Sequence, residues 1–411
     1  MKRLTVYLNR EPVGLLAQDD SGLLSFAYNS SWLERADAIP LSRSLPLRPE
    51  AFRGKEARPF FAGVLPEEEP RRRIAAILGI SERNDFAMLE RIGGECAGAV
   101  SLLPEGERLH KSTEPGCREL TENDLARIVG ELPRRPLMAG SDGIRLSLAG
   151  AQDKLPVVVK GKRISIPLDD TPSTHILKPE PERFPGLAAN ELLCLKLAEA
   201  AGLNIPAAEI ITAGSKPCLL VARYDRTTDE QGRTVRIHQE DFCQALGLPP
   251  ERKYQQEGGP LLRDCIQLLR DWSTAPVLDI RGLIDGLIFN TLIGNADAHG
   301  KNYSLLYLDR QRRLAPLYDL VSTLAWPELS ARFSMKIGRC KTLKEITPDH
   351  WQSMAKETGL SGPMVRERSR VFCEKTVAAL DDIELEVREL NPEMTERISA
   401  IVRRQALRLN G

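Results

Sequence analysis

Nine residues in the C-terminal half of the chain, Gly294-Asn295-Ala296-Asp297-Ala298-His299-Gly300-Lys301-Asn302, form its densest polar cluster. They follow an apolar helical stretch and precede the strand-like Tyr303–Leu308. Asp297 and Asn302 stand five positions apart, and a second carboxylate, Asp319, comes directly after the strand-like Leu314–Tyr318. One acid to orient a hydroxyl, with an amide and a second acid to hold magnesium, is the donor set that phosphoryl transfer requires. A polar loop capping a helix uses the same residue types, because Gly, Asn and Asp all favour turns.

The D-x-x-x-x-N interval is also that of the protein-kinase catalytic loop. Such a site needs positive charge around the nucleotide phosphates. Lys178 ends the strand-like His175–Lys178, just before a long helix that carries Glu191, a candidate ion-pair partner. A surface lysine and a solvated helix glutamate are the plainer alternatives. No G-x-G-x-x-G loop is present. In its place stands Ser147-Leu148-Ala149-Gly150-Ala151-Gln152-Asp153-Lys154, whose small residues allow backbone to approach phosphate oxygens while Lys154 adds charge.

These groups must be held by elements that the pattern predicts. Short β-type runs, Thr5–Leu8, Val13–Ala17 and Leu23–Phe26, open the chain. A helix follows from Pro66 to Leu78, with acids at its front and Gly79 at its end. Thr121 to Asp124 is a capping-box signature for a helix through Leu132. From Ile144 to Arg226 strands dominate, including Ile144–Leu148, Leu155–Val159, Ile164–Ile166, His175–Lys178, Ile210–Ala213 and Leu219–Ala222, interrupted by one long amphipathic helix, Leu187–Ala201. Helices are predicted near 239–247, 259–271, 276–293, 350–358, 363–380 and 390–409. The order suggests an α+β chain of two lobes with a further N-terminal module, divided at 1–136, 137–238 and 239–411.

Length and composition agree with that outline. The 411 residues allow roughly two or three domains. Hydrophobic residues at 42% and charged residues at 28% supply a globular core and exclude a disordered tail protein. Lys+Arg and Asp+Glu both total 57, so the formal net charge is zero, without the basic excess of a protein that grips nucleic acid unaided. The start, Met1 to Leu8, has no signal-peptide apolar core. No apolar run approaches the 18 or so residues of a membrane span, and a cytoplasmic protein is expected. The eight cysteines include no C-x-x-C pair, so a structural zinc is not expected. His110 and His350 read as exposed, His175 and His238 as core or edge residues. Arg397, Arg403, Arg404 and Arg408 read as a solvated helix face before a DNA-binding one.

Several motifs in fixed order resemble the HipA-type serine/threonine kinases, the toxins of bacterial toxin–antitoxin modules. They are Arg145–Lys154, Thr174–Lys178, Val221–Arg226, Gln239–Asp241, Gly294–Asn302 and Leu317–Ser322, and the N-terminal stretch with Pro40-Leu41-Ser42 and Leu45-Pro46-Leu47 also fits. The resemblance spans essentially the whole chain and implies a two-lobed protein-kinase-like fold, with a β-rich N-terminal lobe and an all-helical C-terminal lobe. It implies that Asp297 orients the acceptor hydroxyl and that Asn302 and Asp319 hold Mg2+. Lys178, Lys154 and His299 would lie near the ATP phosphates, and Ala222, Tyr224 and Gln239 near the rest of the nucleotide. Ser147 would be autophosphorylated, switching the kinase off. A HipB-like helix-turn-helix antitoxin on operator DNA would be the partner, and a translation component such as glutamyl-tRNA synthetase the substrate. Two other functions remain open on the residues alone: a small-molecule kinase, or a non-catalytic co-repressor acting with a DNA-binding partner.

Overall fold

Alternating apolar positions in the first hundred residues do form strands, each somewhat longer than its apolar core. In the computed structural model, which describes residues 1–109, 116–168 and 170–410, the chain divides into two units. The first holds Met1–Pro179, Ile211–Pro250 and Leu306–Asp309; the second holds Glu180–Ile210, Glu251–Leu305 and Arg310–Gly411. His110 lies outside the described residues.

In the first unit, an antiparallel sheet runs in the order Phe52–Arg53, Leu24–Tyr28, Glu11–Gln18, Lys2–Leu8 and Val100–Pro104. Leu4, Val6 and Leu8 alternate into its core, as the period of two requires. Phe26 is the centre of that core, with its ring 4.8 Å from Tyr28 and 5.3 Å from Phe61. The acid-fronted helix is Glu68–Leu78, where Glu69 pairs with Arg72 and Arg73 one turn on. The capping box at Thr121 and Asp124 starts the helix Glu122–Glu131.

A second antiparallel sheet has Lys216–Ala222, His175–Pro179, Leu155–Lys160, Arg163–Pro167 and Cys117–Glu119 as successive neighbours. Two expectations fail in this unit. Ile144–Leu148 is not a strand: its apolar residues are buried, but the backbone makes a single bridge, Leu146 to Glu95. The helix expected from 239 is instead the strand His238–Asp241 followed by one short turn, Phe242–Ala245. Asp241 caps that turn from its first position, so Gln239 and Glu240 cannot be helical.

Charge is buried deeply between these sheets. Glu95 is 1% exposed and accepts from Arg226 Nη2 at 2.7 Å, from Arg236 Nε at 2.8 Å and from the Ser173 hydroxyl at 2.8 Å. Asp225, 2% exposed, accepts from Arg223 Nη2 at 2.7 Å, from Gly98 N at 2.7 Å and from Gln239 Nε2 at 2.8 Å. Burial alone would raise the Glu95 carboxyl, but the guanidinium groups of Arg236, Arg226 and Arg223 outweigh it and bring the pKa down to about 2. Beside this cluster, His238 Nε2 meets the Leu41 carbonyl at 2.8 Å. Glu240 accepts hydrogen bonds from the Ser42 and Tyr307 hydroxyls and from Arg43 N. Burial nevertheless pushes Glu240 up to about 7 and His238 down to about 4.

The second unit is built on the helices Leu187–Ala200, Leu262–Trp272, Pro276–Ile293, Pro348–Thr358, Gly362–Arg388 and Pro392–Asn410. Leu187–Ala200 is not amphipathic as expected: Ala188 to Leu195 are all buried, because Gly362–Arg388 and Pro392–Asn410 both pack against it. A hairpin, Arg332–Ile337 with Cys340–Thr342, interrupts the expected run of helices. The strand expected at Leu314–Tyr318 lies earlier, at Gln311–Leu314. His350 is half-buried rather than exposed, its ring helping to cap the helix Pro348–Thr358. Three arginines of the basic C-terminal helix have partners: Arg397 pairs with Glu393 one turn earlier, Arg403 with Asp381 of the preceding helix, and Arg408 donates to the Leu343 carbonyl. Among the described residues no helix is long and apolar enough to cross a membrane.

Two outcomes follow from the buried charges. Glu95→Gln leaves three buried guanidinium groups short of an anion, and urea denaturation is expected to show a loss of about 3–5 kcal/mol; a loss under about 1 kcal/mol would contradict the account. Folded Glu240 keeps its proton up to about pH 7, whereas the unfolded side chain releases it near 4.5. Its contribution to stability is therefore lost as pH rises between those values. Glu240→Gln should gain stability relative to the parent over that window, and unfolding midpoints with a constant difference at every pH would refute this.

Candidate active site

The polar loop at 294–302 is shaped by the helix that precedes it. Pro276–Ile293 ends at Gly294, whose φ of 75° lies in the left-handed region that favours glycine. A Cβ there would also sit 2.8 Å from Ile401 Cγ2, so no larger residue fits. Asn295 then acts as a brace. Its Nδ2 donates to Asn290 Oδ1 at 2.8 Å, and its Oδ1 accepts from Asp297 N at 3.0 Å. Ala296 N donates to Thr323 Oγ1 at 2.9 Å, and Ala296 O accepts from Ser334 N at 2.9 Å. Both backbone groups of Ala296 and the N–H of Asp297 are thus tied down, which restricts where the Asp297 carboxylate can point.

Asn302 closes the loop. Its Oδ1 accepts from His299 N at 3.0 Å and its Nδ2 donates to Asp319 Oδ2 at 2.8 Å. The two residues that sequence paired as metal ligands are therefore in direct contact. Asp319 has a φ of 60°, a conformation that Asp and Asn adopt more readily than other side-chain-bearing residues. Tyr318, next to it, donates from its hydroxyl to Lys301 O at 2.7 Å and so joins the two segments again.

Asp297 keeps an exposed face while protein crowds its other side. That desolvation pushes its carboxyl up to about 6, opposed by a hydrogen bond from the Tyr254 hydroxyl and aided by the nearby Asp319 carboxylate. Water on the open face moderates the rise, so its upward direction is what the surroundings fix. The oxygen set of Asn302 and Asp319 suits a hard cation such as Mg2+, which usually takes one or two protein carboxylates and fills its remaining positions with water and phosphate. Among the described residues no group of three or more His, Cys, Asp or Glu could hold a metal, so a dedicated protein cage is not what these residues offer.

Of the remaining candidates in the first unit, Lys178 and Ala222 lie on adjacent strands of its second sheet. Lys178 pairs with Leu219 and Ala222 with His175. Tyr224 donates from its hydroxyl to Gln239 Oε1 at 2.6 Å, and Gln239 donates on to Asp225. Lys154 bends back to donate to Ala149 O at 2.7 Å, closing the small-residue loop on itself. Ser147 is fully buried and donates to Val64 O at 2.9 Å. In the second unit Glu191 is buried, not solvated, and His299 is 7% exposed.

Sequence reasoning missed four residues of the second unit. Asn295 belongs to the motif but was given no role. Tyr254 and Lys253 face Asp297 from 43 and 44 positions upstream, and Ser334 reaches Asp297 Oδ1 at 3.4 Å from 37 positions downstream. No local pattern marks them; only the fold brings them to the loop.

Comparison with known proteins agrees with this geometry. The HipA N-terminal domain model matches residues 4–103, and the HipA-like C-terminal domain model matches residues 146–381. A protein of Sinorhizobium fredii named "Putative kinase Y4mE" is 48% identical over 92% of this chain and 90% of its own. The serine/threonine-protein kinase toxin HipA of Shewanella oneidensis is 30% identical over 81% of this chain and 78% of its own. A solved complex of Shewanella oneidensis HipA, HipB and operator DNA contains a chain that superposes with a TM-score of 0.85 at 25% identity, covering 98% of this chain and 97% of that one. With two family models in order along the chain and relatives matched over most of their length, the protein belongs to the HipA family of kinase toxins and is a serine/threonine-protein kinase.

Proposed function

We propose that this kinase transfers the γ-phosphoryl group of ATP to a serine or threonine hydroxyl, with Asp297 orienting that hydroxyl. Because the transition state is loose, positioning contributes more than proton abstraction. Asn302 and Asp319 hold magnesium, which supplies charge neutralisation to the phosphates when bound. Lys178, Lys154 and His299 bind the phosphates, while Ala222, Tyr224 and Gln239 bind the rest of the nucleotide. The observation that carries this reading is the 2.8 Å contact by which Asn302, on the braced loop that also bears Asp297, reaches Asp319 on a second segment.

Ser147 is the site at which the enzyme switches itself off. Its hydroxyl is buried against a carbonyl oxygen, with no cation in that contact. A phosphate there would lose the donated bond and set a dianion against that oxygen, so the 147–154 loop has to leave its place. Growth arrest by phosphorylation of a translation component, glutamyl-tRNA synthetase in class, is the proposed outcome. A HipB-like antitoxin neutralises the kinase and carries it to operator DNA. The likeness to the chain of the solved HipA–HipB–DNA complex supports that partner. The net neutral charge and the carboxylate partners of Arg397 and Arg403 on the last helix fit a complex in which the partner does the base reading.

Intact-mass spectrometry after incubation with magnesium and ATP tests both parts. Wild type should gain about 80 Da per phosphate, and Asp297→Asn and Ser147→Ala should gain none. A gain in Ser147→Ala equal to wild type would remove the switch but keep the kinase. A gain in Asp297→Asn would remove the assigned role of Asp297.

A further inference from the structure

The loop that carries Asp297 is not held by its own motif alone. In the second unit the strand Arg332–Ile337 grips two separate segments. At Ser334 it binds the Ala296 carbonyl through both N and Oγ, and its hydroxyl reaches Asp297. Two residues to either side it binds the 255–256 turn instead. Lys336 N donates to Gln255 Oε1 at 2.7 Å, and Arg332 Nη1 donates to Gln256 Oε1 at 3.1 Å. One strand therefore sets the position of Asp297 and the position of the residues just before that turn.

Those residues are Lys253 and Tyr254. Tyr254 O accepts from both Glu257 N at 3.0 Å and Gly259 N at 2.9 Å, so the turn folds tightly around it. Gly259 is required for that closure, since a Cβ would lie 2.4 Å from Arg252 O and 2.6 Å from Tyr254 O. The Tyr254 ring meets His299 edge-on, with centroids 5.2 Å apart and planes at 78°. Its hydroxyl donates to the Asp297 carboxylate. Lys253, only 7% exposed, holds its ammonium 5.3 Å from the Tyr254 ring centroid and faces Asp297 electrostatically.

We infer that Tyr254 is a positioning residue whose phenol hydroxyl fixes the Asp297 carboxylate in its reactive orientation, with Lys253 supplying the balancing charge. A carboxylate turns easily about its terminal bond. Two hydroxyls approach Asp297, that of Tyr254 and, 3.4 Å from its Oδ1, that of Ser334, whose proton is shared with the Ala296 carbonyl, so the Tyr254 hydroxyl is the main restraint on that rotation. Orientation is what a loose phosphoryl transfer asks of this group, so a small loss of aim becomes a large loss of rate. This inference rests on the role proposed above for Asp297.

The test uses the full chain with magnesium and ATP, following phosphate incorporation by intact mass at several ATP concentrations. Tyr254→Phe keeps the ring contacts with His299 and Lys253 and removes only the hydroxyl. It should lower the rate at saturating ATP about tenfold or more, leave the half-saturating ATP concentration within about twofold, and leave Tm unchanged. Tyr254→Leu, which also removes the ring, should lose Tm but little further rate. A Tyr254→Phe rate equal to wild type, or a loss that appears only in Tyr254→Leu together with its Tm, would overturn the inference. Asp297→Asn run alongside separates the two levels: if it is inactive while Tyr254→Phe is fully active, only the positioning role falls. If Asp297→Asn is itself active, the role of Asp297 falls and this inference with it.

Discussion

Two buried carboxylates and three buried guanidinium groups organise the first unit. Glu95 comes from the N-terminal module, while Arg223, Asp225, Arg226 and Arg236 come from the end of a strand and the hairpin that follows. Removing such charges from water costs several kcal/mol per ion, and good geometry with additional hydrogen bonds is needed to offset it. Here Ser173, Gly98 N and Gln239 supply those bonds. Three cations against two anions leave the cluster formally one charge positive, and burial with the neighbouring Arg223 brings Arg226 down to about 10. Replacing the cluster by apolar residues could be as stable. What it provides is a fixed place for Tyr224 and Gln239, whose side chains hydrogen-bond each other and through Gln239 reach Asp225.

The second unit solves a different problem with similar means. The loop at 294–302 is largely irregular backbone, so it lacks the ladder that holds strands and helices. Asn295, Thr323 and Ser334 replace that ladder with side-chain hydrogen bonds to the backbone at Ala296 and Asp297. A small set of short polar side chains therefore holds in place the loop on which Asp297 is exposed. This is the expected division of labour for a kinase, where the protein contributes orientation and electrostatics more than covalent chemistry.

Much of this was legible in the sequence where the chemistry is local. Gly294, Asp297 and Asn302 lie within nine residues, and the helix stop, the D-x-x-x-x-N interval and the following Asp319 are all written contiguously or nearly so. The long helices were legible too, because their apolar residues recur at helical spacing. Elsewhere the pattern reported burial and not hydrogen bonding. Ile144, Leu146 and Leu148 alternate and are buried, yet their backbone forms no ladder. The Leu187–Ala200 helix looked amphipathic because its few polar residues suggest a solvent face; Asn190 and Glu191 are in fact buried. Nothing in V-A-R-Y-D-R announces a buried ion cluster, since charged residues are seldom fully buried unless paired. Tyr254, Lys253 and Ser334 are separated from Asp297 by more sequence than any local motif spans.

The central claim is that Asn302 and Asp319 present a metal-bound nucleotide to Asp297. A crystal structure of the full chain with magnesium and a non-hydrolysable ATP analogue tests it most directly. The account predicts a cation with oxygens of Asn302 and Asp319 at about 2.0–2.1 Å and phosphate oxygens among its other ligands. A nucleotide bound with its phosphates and metal away from both residues would contradict it.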